Sequence, residues 1–359
     1  MIPSKSVSRR LALATAAVVA LGACTLALAR PANSYAVRVL VSDGNIAAEH
    51  VDPDLVNAWG IAFNPVGFSW VSDNGTGKST LYDGNGVKQS LVVEIPASDG
   101  VSTGTPTGIM FSGSATDFKV TENGFSAPAR FIFSSEDGVI SGWAPSVDQT
   151  HAIAAVNRPD SLYKGLAIMT TASGGRLYAT DFHNNHVDVF DANFQMISVP
   201  GGFVDPKLPP KFAPFGIAAV GDVLYVTYTR QDAEQHDDVA GRGIIDVFDT
   251  DGNLLRRGTA QTGLDSPWGV VMAPADFGHF ANRLLVSNFG SGEISAYDPV
   301  SGQLVGYIRN TDGTRLRVPG LWGIEFGNGL LNQPTNALFF SAGPSHEAHG
   351  VYGRVDPTQ

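Results

Sequence analysis

A short apolar unit centred on glycine recurs six times along this chain. It reads AWGIAF (58–63), PTGIMF (106–111), YKGLAI (163–168), PFGIAA (214–219), PWGVVM (267–272) and LWGIEF (321–326). The glycines, at 60, 108, 165, 216, 269 and 323, are spaced by about 53 residues. Such a period constrains the fold strongly, because a unit this small cannot bury its apolar faces alone and must pack against its neighbours. After each glycine unit comes an apolar strand with a small or polar end: FSWVSDN, RFIFSSE, RLYATDF, VLYVTYT, RLLVSNF and ALFFSAG. A third unit follows, as in STLYDGNG, HVDVFDAN and IIDVFDTDGN, and then a fourth strand, as in QSLVVEI, FQMISV and QLVGYIR. Four short antiparallel strands per repeat, joined by turn residues and repeated six times, predict an all-β, six-bladed β-propeller. The 41 glycines and 21 prolines fit many turns and short strands.

The last repeat runs out after its third strand, at GVYGRVDPTQ. The missing strand is available in SYAVRVLVSDG (34–44), so an N-terminal strand is expected to complete the C-terminal blade and seal the ring's open edge. Residues 34–359 then form a single propeller domain, expected to be a monomer.

Residues 1–29 read as an export signal: Lys5, Arg9 and Arg10 precede the apolar run Leu11–Ala29. SRRLAL partly matches a twin-arginine signal, and LGAC resembles a lipobox that would acylate Cys24. ALA (27–29) offers a cleavage site that would release a periplasmic or extracellular protein. Cys24 is the single cysteine, so the mature domain has no internal disulfide and stands on its core. No later stretch is long and apolar enough to span a membrane. A formal net charge of −11, with no Lys/Arg-dense stretch, argues against a nucleic-acid partner. HExxH, CxxC and phosphate-loop patterns are absent.

Repetition separates scaffold from candidate site. DTDGN (249–253) has the oxygen ligands of a calcium loop, but DGNG, DAN and DPVSG occupy the same slot elsewhere, so it reads as a hairpin turn. Asp188 and Asp246 also match each other and read as scaffold. Residues before each glycine and at the end of each second strand must meet at one mouth of the central channel, because strands one and two are antiparallel. From the strand-one entrances that set holds Asn57, Trp59, Thr107, Lys164, Phe215, Trp268 and Trp322. The second-strand ends add Asp73, Asn74, Glu136, Asp137, Asp181, His183, Arg230, Asn288 and Phe289. The blades differ here, and tryptophans beside carboxylates, amides, one His and one Arg would make a rim for a small polar ligand, carbohydrate or peptide. Blade packing is the other role open to the tryptophans. Glu325 interrupts an otherwise apolar strand, where a carboxylate needs a partner, water or a cation. The insertion QDAEQHDDVAGRG (231–243) reads as a solvated loop, and GPSHEAHG (343–350) carries His346 and His349 on a loop rather than on a helix face.

LYATDFHNNHVDVFD resembles an NHL-type propeller repeat. Residues 37–355, through NAWGIAFNP, WVSDNGTG, FIFSSEDG, PWGVVMAP and LWGIEFGNG, resemble a family of exported bacterial propeller proteins, some with PEP-CTERM tails. That resemblance implies fold and export and transfers no catalytic residue. A more distant likeness is to gluconolactonase and regucalcin propellers, which hold a divalent cation on the axis with Glu, Asn and Asp side chains. By that likeness Glu325, Asn288 and Asp73 or Asp181 would hold one divalent cation such as calcium. Two functions are therefore open: a binding scaffold using the channel mouth, or a metal-dependent hydrolase or lyase.

Overall fold

The computed structural model describes Met1 and residues 32–234, 238–258 and 263–358. The segment expected to direct export, Cys24 and His236 lie outside these residues. Among the described residues no helix is long and apolar enough to cross a membrane. The protein is a six-bladed β-propeller. Five blades take their four strands in sequence, and the inner strands are Ala58–Phe63, Pro106–Phe111, Tyr163–Thr171, Phe212–Val220 and Pro267–Met272. The sixth blade runs Leu321–Phe326, Leu338–Ala342 and Val351–Pro357, and its fourth strand is N-terminal Tyr35–Ser42, antiparallel to Val351–Pro357. His50–Val51 adds a short parallel fifth strand outside it. The expected closure is therefore present. A hairpin that the repeat pattern did not show, Lys119–Glu122 with Phe125–Pro128, sits between strands one and two of blade two.

The recurrent glycine has a steric cause. At Gly60 a methyl group would lie 2.6 Å from the Thr107 carbonyl oxygen, at Gly216 2.0 Å from that of Trp268, and at Gly323 2.6 Å from that of Trp59. In each case the obstacle is the inner strand of the next blade, so glycine permits the close backbone approach where six blades converge on one axis. A hydroxyl from strand two closes this contact. Thr180 Oγ1 accepts from the Gly165 amide at 2.7 Å and donates to the Phe215 carbonyl at 2.9 Å. Ser287 bridges Gly269 N–H and the Trp322 carbonyl in the same way, and Ser341 bridges Gly323 N–H and the Trp59 carbonyl. These hydroxyls satisfy amides at the register shifts that interrupt each inner ladder. The core lies in the seams between blades, for example Val71, Tyr82, Phe339 and Tyr352 between blades six and one.

The hairpin reading of the Asp-Gly turns holds. Asp83, Asp191, Asp249 and Asp298 each accept backbone amides two to four residues on, as Asp249 does from Asp251 and Asn253. The segment 231–243 is less loop-like than its composition implies. Asp238–Phe248 is one long strand that pairs Asp238 with Gln231 and Val239 with Arg230, so the hairpin extends outward beyond the blade.

Candidate functional site

The residues preceding the glycines do meet at the axis, but they fill it. Trp59, Trp268 and Trp322 are 0%, 9% and 1% exposed. Trp59 stacks on Trp322 at 3.6 Å between ring centroids, and Trp268 meets both edge-on at 6.1 and 5.9 Å. Phe289 stacks on the other side of Trp322 at 4.0 Å, and Phe215 packs against it at 5.6 Å. The tryptophans are thus a buried plug across the channel rather than an open rim. Inner strands present their side chains closest to the axis, and stacked indoles remove more apolar surface there than they would at a mouth.

Above the plug lies a polar network from four blades. Lys164 Nζ, 3% exposed as a residue, pairs with Glu136 Oε1 at 2.6 Å and lies 4.9 Å above the Trp59 ring. Asn74 donates to Glu136 Oε2 at 3.0 Å, and Asn57 donates to Asn74 Oδ1 at 3.1 Å and to Glu347 Oε2 at 2.7 Å. Beneath this network three polar atoms, Asn57 Oδ1, Trp59 Nε1 and Trp322 Nε1, are buried without a hydrogen-bond partner among the described residues. Glu347 comes from the GPSHEAHG loop, where Ser345, His346 and Glu347 hold φ of 58°, 56° and 64° in succession. Three consecutive left-handed non-glycine residues store strain, which accumulates where a fold must present a particular side chain. Asn57 also has a positive φ of 49°. Beside the network a groove of about 510 Å³ is lined by Phe289, Gly290, Gly292, Arg317, Ser345 and His346. Glu347, absent from the sequence-derived set, belongs to the site; only the folded loop turns it inward.

Thus Asn57, Asn74, Glu136 and Lys164 are brought together over Trp59. Asp73, Asp181 and Asn288 are not. All three end second strands at one register slot, pairing with Ala58, Tyr163 and Pro267 respectively, and each is fully buried within its own blade. Burial pushes the Asp73 carboxyl well above the usual carboxylate range. Asn288 is consumed by the Asp265 amide, the Glu293 carbonyl and Ser295. Asp137 accepts the Ser98 amide at 2.6 Å. Arg230 is exposed on the extended hairpin beside Lys211 and Phe212, and His183 is half-buried, its carbonyl accepting from Gln231. Glu325 lies at the far end of its strand from Trp322, on the other side of the plug. The axial quartet of Glu325, Asn288, Asp73 and Asp181 is therefore dispersed around and along the ring, and no common cation could be held by it. His346 and His349 also part, His349 Nδ1 meeting Asp43 Oδ2 at 2.7 Å.

Among the described residues one group with metal-ligand chemistry does form: Asp181, His186 and Asp188, whose ligand atoms all lie within 4.8 Å of one another. Pairing of Asp181 with His186 across the turn puts Asp188 on the same face. His186 Nε2 meets Asp188 Oδ1 at 2.9 Å, and Tyr163 donates to Asp188 Oδ2 at 2.7 Å. Asp188 hydrogen bonding raises the His186 pKa above its ordinary value.

No family model matches the chain. Streptogramin B lyase has a similar fold, with a TM-score of 0.52 at 13% identity over 90% of this chain and 98% of that one. Virginiamycin B lyase from Staphylococcus aureus gives 0.50 at 12% identity over 90% and 99%. At such identity the likeness concerns the fold alone. Two proteins of Acanthamoeba polyphaga mimivirus are far more similar in sequence. "Uncharacterized protein R648" is 32% identical over 343 residues, 91% of this chain and 81% of that protein. "Uncharacterized protein L690" is 33% identical over 343 residues, 91% of this chain and 87% of that protein. The chain belongs to the family that these two mimivirus proteins represent.

Proposed function

We propose that this protein is an exported binding propeller that captures a small polar ligand, a carbohydrate or a short peptide, on the face bearing the strand two-to-three loops. The observation that carries this reading is the trio of unpaired buried atoms, Asn57 Oδ1, Trp59 Nε1 and Trp322 Nε1, beneath a network joined from four blades. One acceptor and two donors without partners are the complement of a hydroxyl- or amide-bearing ligand. The strained turn that aims Glu347 at Asn57 supports the same site. Export rests on the basic, then apolar, first 29 residues.

The test is a thermal-shift panel of mono- and disaccharides and short peptides on the wild type and on Asn57→Gly. Glycine keeps the left-handed backbone at this position while removing the amide. One ligand class should raise the wild-type Tm in a concentration-dependent way, and the variant should bind it at least tenfold more weakly. Equal binding by both proteins, or no stabilisation by any probe, contradicts the reading.

A metal-dependent hydrolase or lyase is the second reading, and what favours it is the Asp181–His186–Asp188 group. It lies within blade three, beside the turn between its second and third strands. Elemental analysis should find about one divalent ion per chain, calcium or another, if this reading holds.

A further inference from the structure

The channel on the other side of the plug is a separate chamber. A cavity of about 320 Å³ runs between the inner strands and is floored by Trp268. It reaches Val220 and Gly221, at the strand one-to-two turn of blade four, so it opens on the face opposite the polar network. Its walls carry Ile61, Ile109, Leu166, Ile217, Val270 and Ile324, the residues that follow the six repeated glycines. The next position in each repeat is Ala62, Met110, Ala167, Ala218, Val271 and Glu325. Met110, Ala218 and Val271 line the channel from that slot, and Glu325 lines it from the same one.

Glu325 is thus the sole titratable side chain among the described residues lining this chamber. Among the described residues Glu325 forms no ion pair, and its carboxyl accepts a hydrogen bond from the amide of its own neighbour, Phe326, at 3.1 Å. An ionised carboxylate at an otherwise apolar slot, without an ion-pair partner among the described residues, is complemented by a counter-charge brought from outside. The chamber also falls in the size range of small-molecule sites, and the aliphatic side chains among its lining would cover the body of a ligand.

We infer that this channel binds a small organic ammonium ion, an apolar body carrying one protonated amine, with Glu325 as the counter-charge. The amine's three donors meet the carboxylate oxygens while the alkyl or aryl body fills the space between Ile217, Val270 and Ile324. An alcohol of the same shape would bury equally well but bring no charge. This site is independent of the network over Trp59, from which the plug separates it.

The experiment is isothermal titration calorimetry at pH 8 with the full chain, using hexylamine and phenethylamine against hexanol and 2-phenylethanol. The wild type should bind an amine at least tenfold more tightly than the matching alcohol. Glu325→Gln should erase that preference, and Ala218→Phe, which fills the lumen from another blade, should abolish binding of both. Equal affinity for amine and alcohol in the wild type, or no binding of either, overturns the inference. So does an unchanged preference in Glu325→Gln. Should Glu325→Gln fail to fold, the wild-type comparison and Ala218→Phe decide the matter alone.

Discussion

Glu325 shows how a single position departs from its repeat. The five other inner strands place Ala62, Met110, Ala167, Ala218 and Val271 there, and each costs nothing to bury. Burial pushes the Glu325 carboxyl from 4.5 up to about 7. With its folded value above its unfolded one, the group's contribution to stability is complete below about pH 4.5 and is lost as pH rises through about 7. Glu325→Gln removes that dependence. Thermal melts should therefore show a Tm gain over the wild type that is small at pH 4.5 and reaches several degrees at pH 8; a gain independent of pH contradicts this account. The anomaly was legible in the sequence, because the repeat supplies five apolar comparisons. Its position beyond the plug was not, since the sequence does not show how far the indoles reach across the axis. Asp181 illustrates the opposite case. It stood out as a candidate, but its partners His186 and Asp188 are defined by strand pairing across a turn.

At the scale of the elements, the recurrent glycine and the strand-two hydroxyl form one device. The glycines were visible as a period, and the hydroxyls were visible too, as the Ser or Thr in WVSD, IFSS, YATD, VTYT, LVSN and FFSA. What the sequence lacked was the contact between blades that makes both necessary. Thr227 Oγ1 accepts from the Gly216 amide at 2.8 Å, beside the Trp268 carbonyl that a methyl group at Gly216 would strike. Gly216→Ala should cost about 3 kcal/mol by forcing two blades apart. Gly113→Ala, whose methyl would meet only Phe111 at 3.7 Å, should change stability little. Urea denaturation of both variants checks this, and similar losses would refute the steric explanation. The closing strand Tyr35–Ser42 was legible because the last repeat lacked a fourth strand. The Lys119–Pro128 hairpin was hidden because it interrupts one repeat and has no counterpart in the others.

For the whole molecule, the aromatic plug divides one axis into two compartments with different chemistry. The strand two-to-three loop face carries Lys164, Glu136, Asn57, Asn74 and Glu347 over the stacked rings. The opposite face opens into a channel lined by aliphatic side chains, inner-strand glycines and Glu325. The sequence showed that strand-one entrances and strand-two ends would gather on one face, since antiparallel pairing requires it. Separating the buried positions Asp73, Asp181 and Asn288 from the network positions needed side-chain direction, which alternates along a strand and flips with each register shift. The central claim is that the loop face is the binding face for a polar ligand. Hydrogen–deuterium exchange with the saccharide or peptide that most stabilises the chain tests it most directly. The account predicts slowed exchange in segments 56–60, 74–77, 136–138 and 343–349, with 218–222 and 324–328 unchanged. Protection confined to the latter segments, or to neither set, would contradict it.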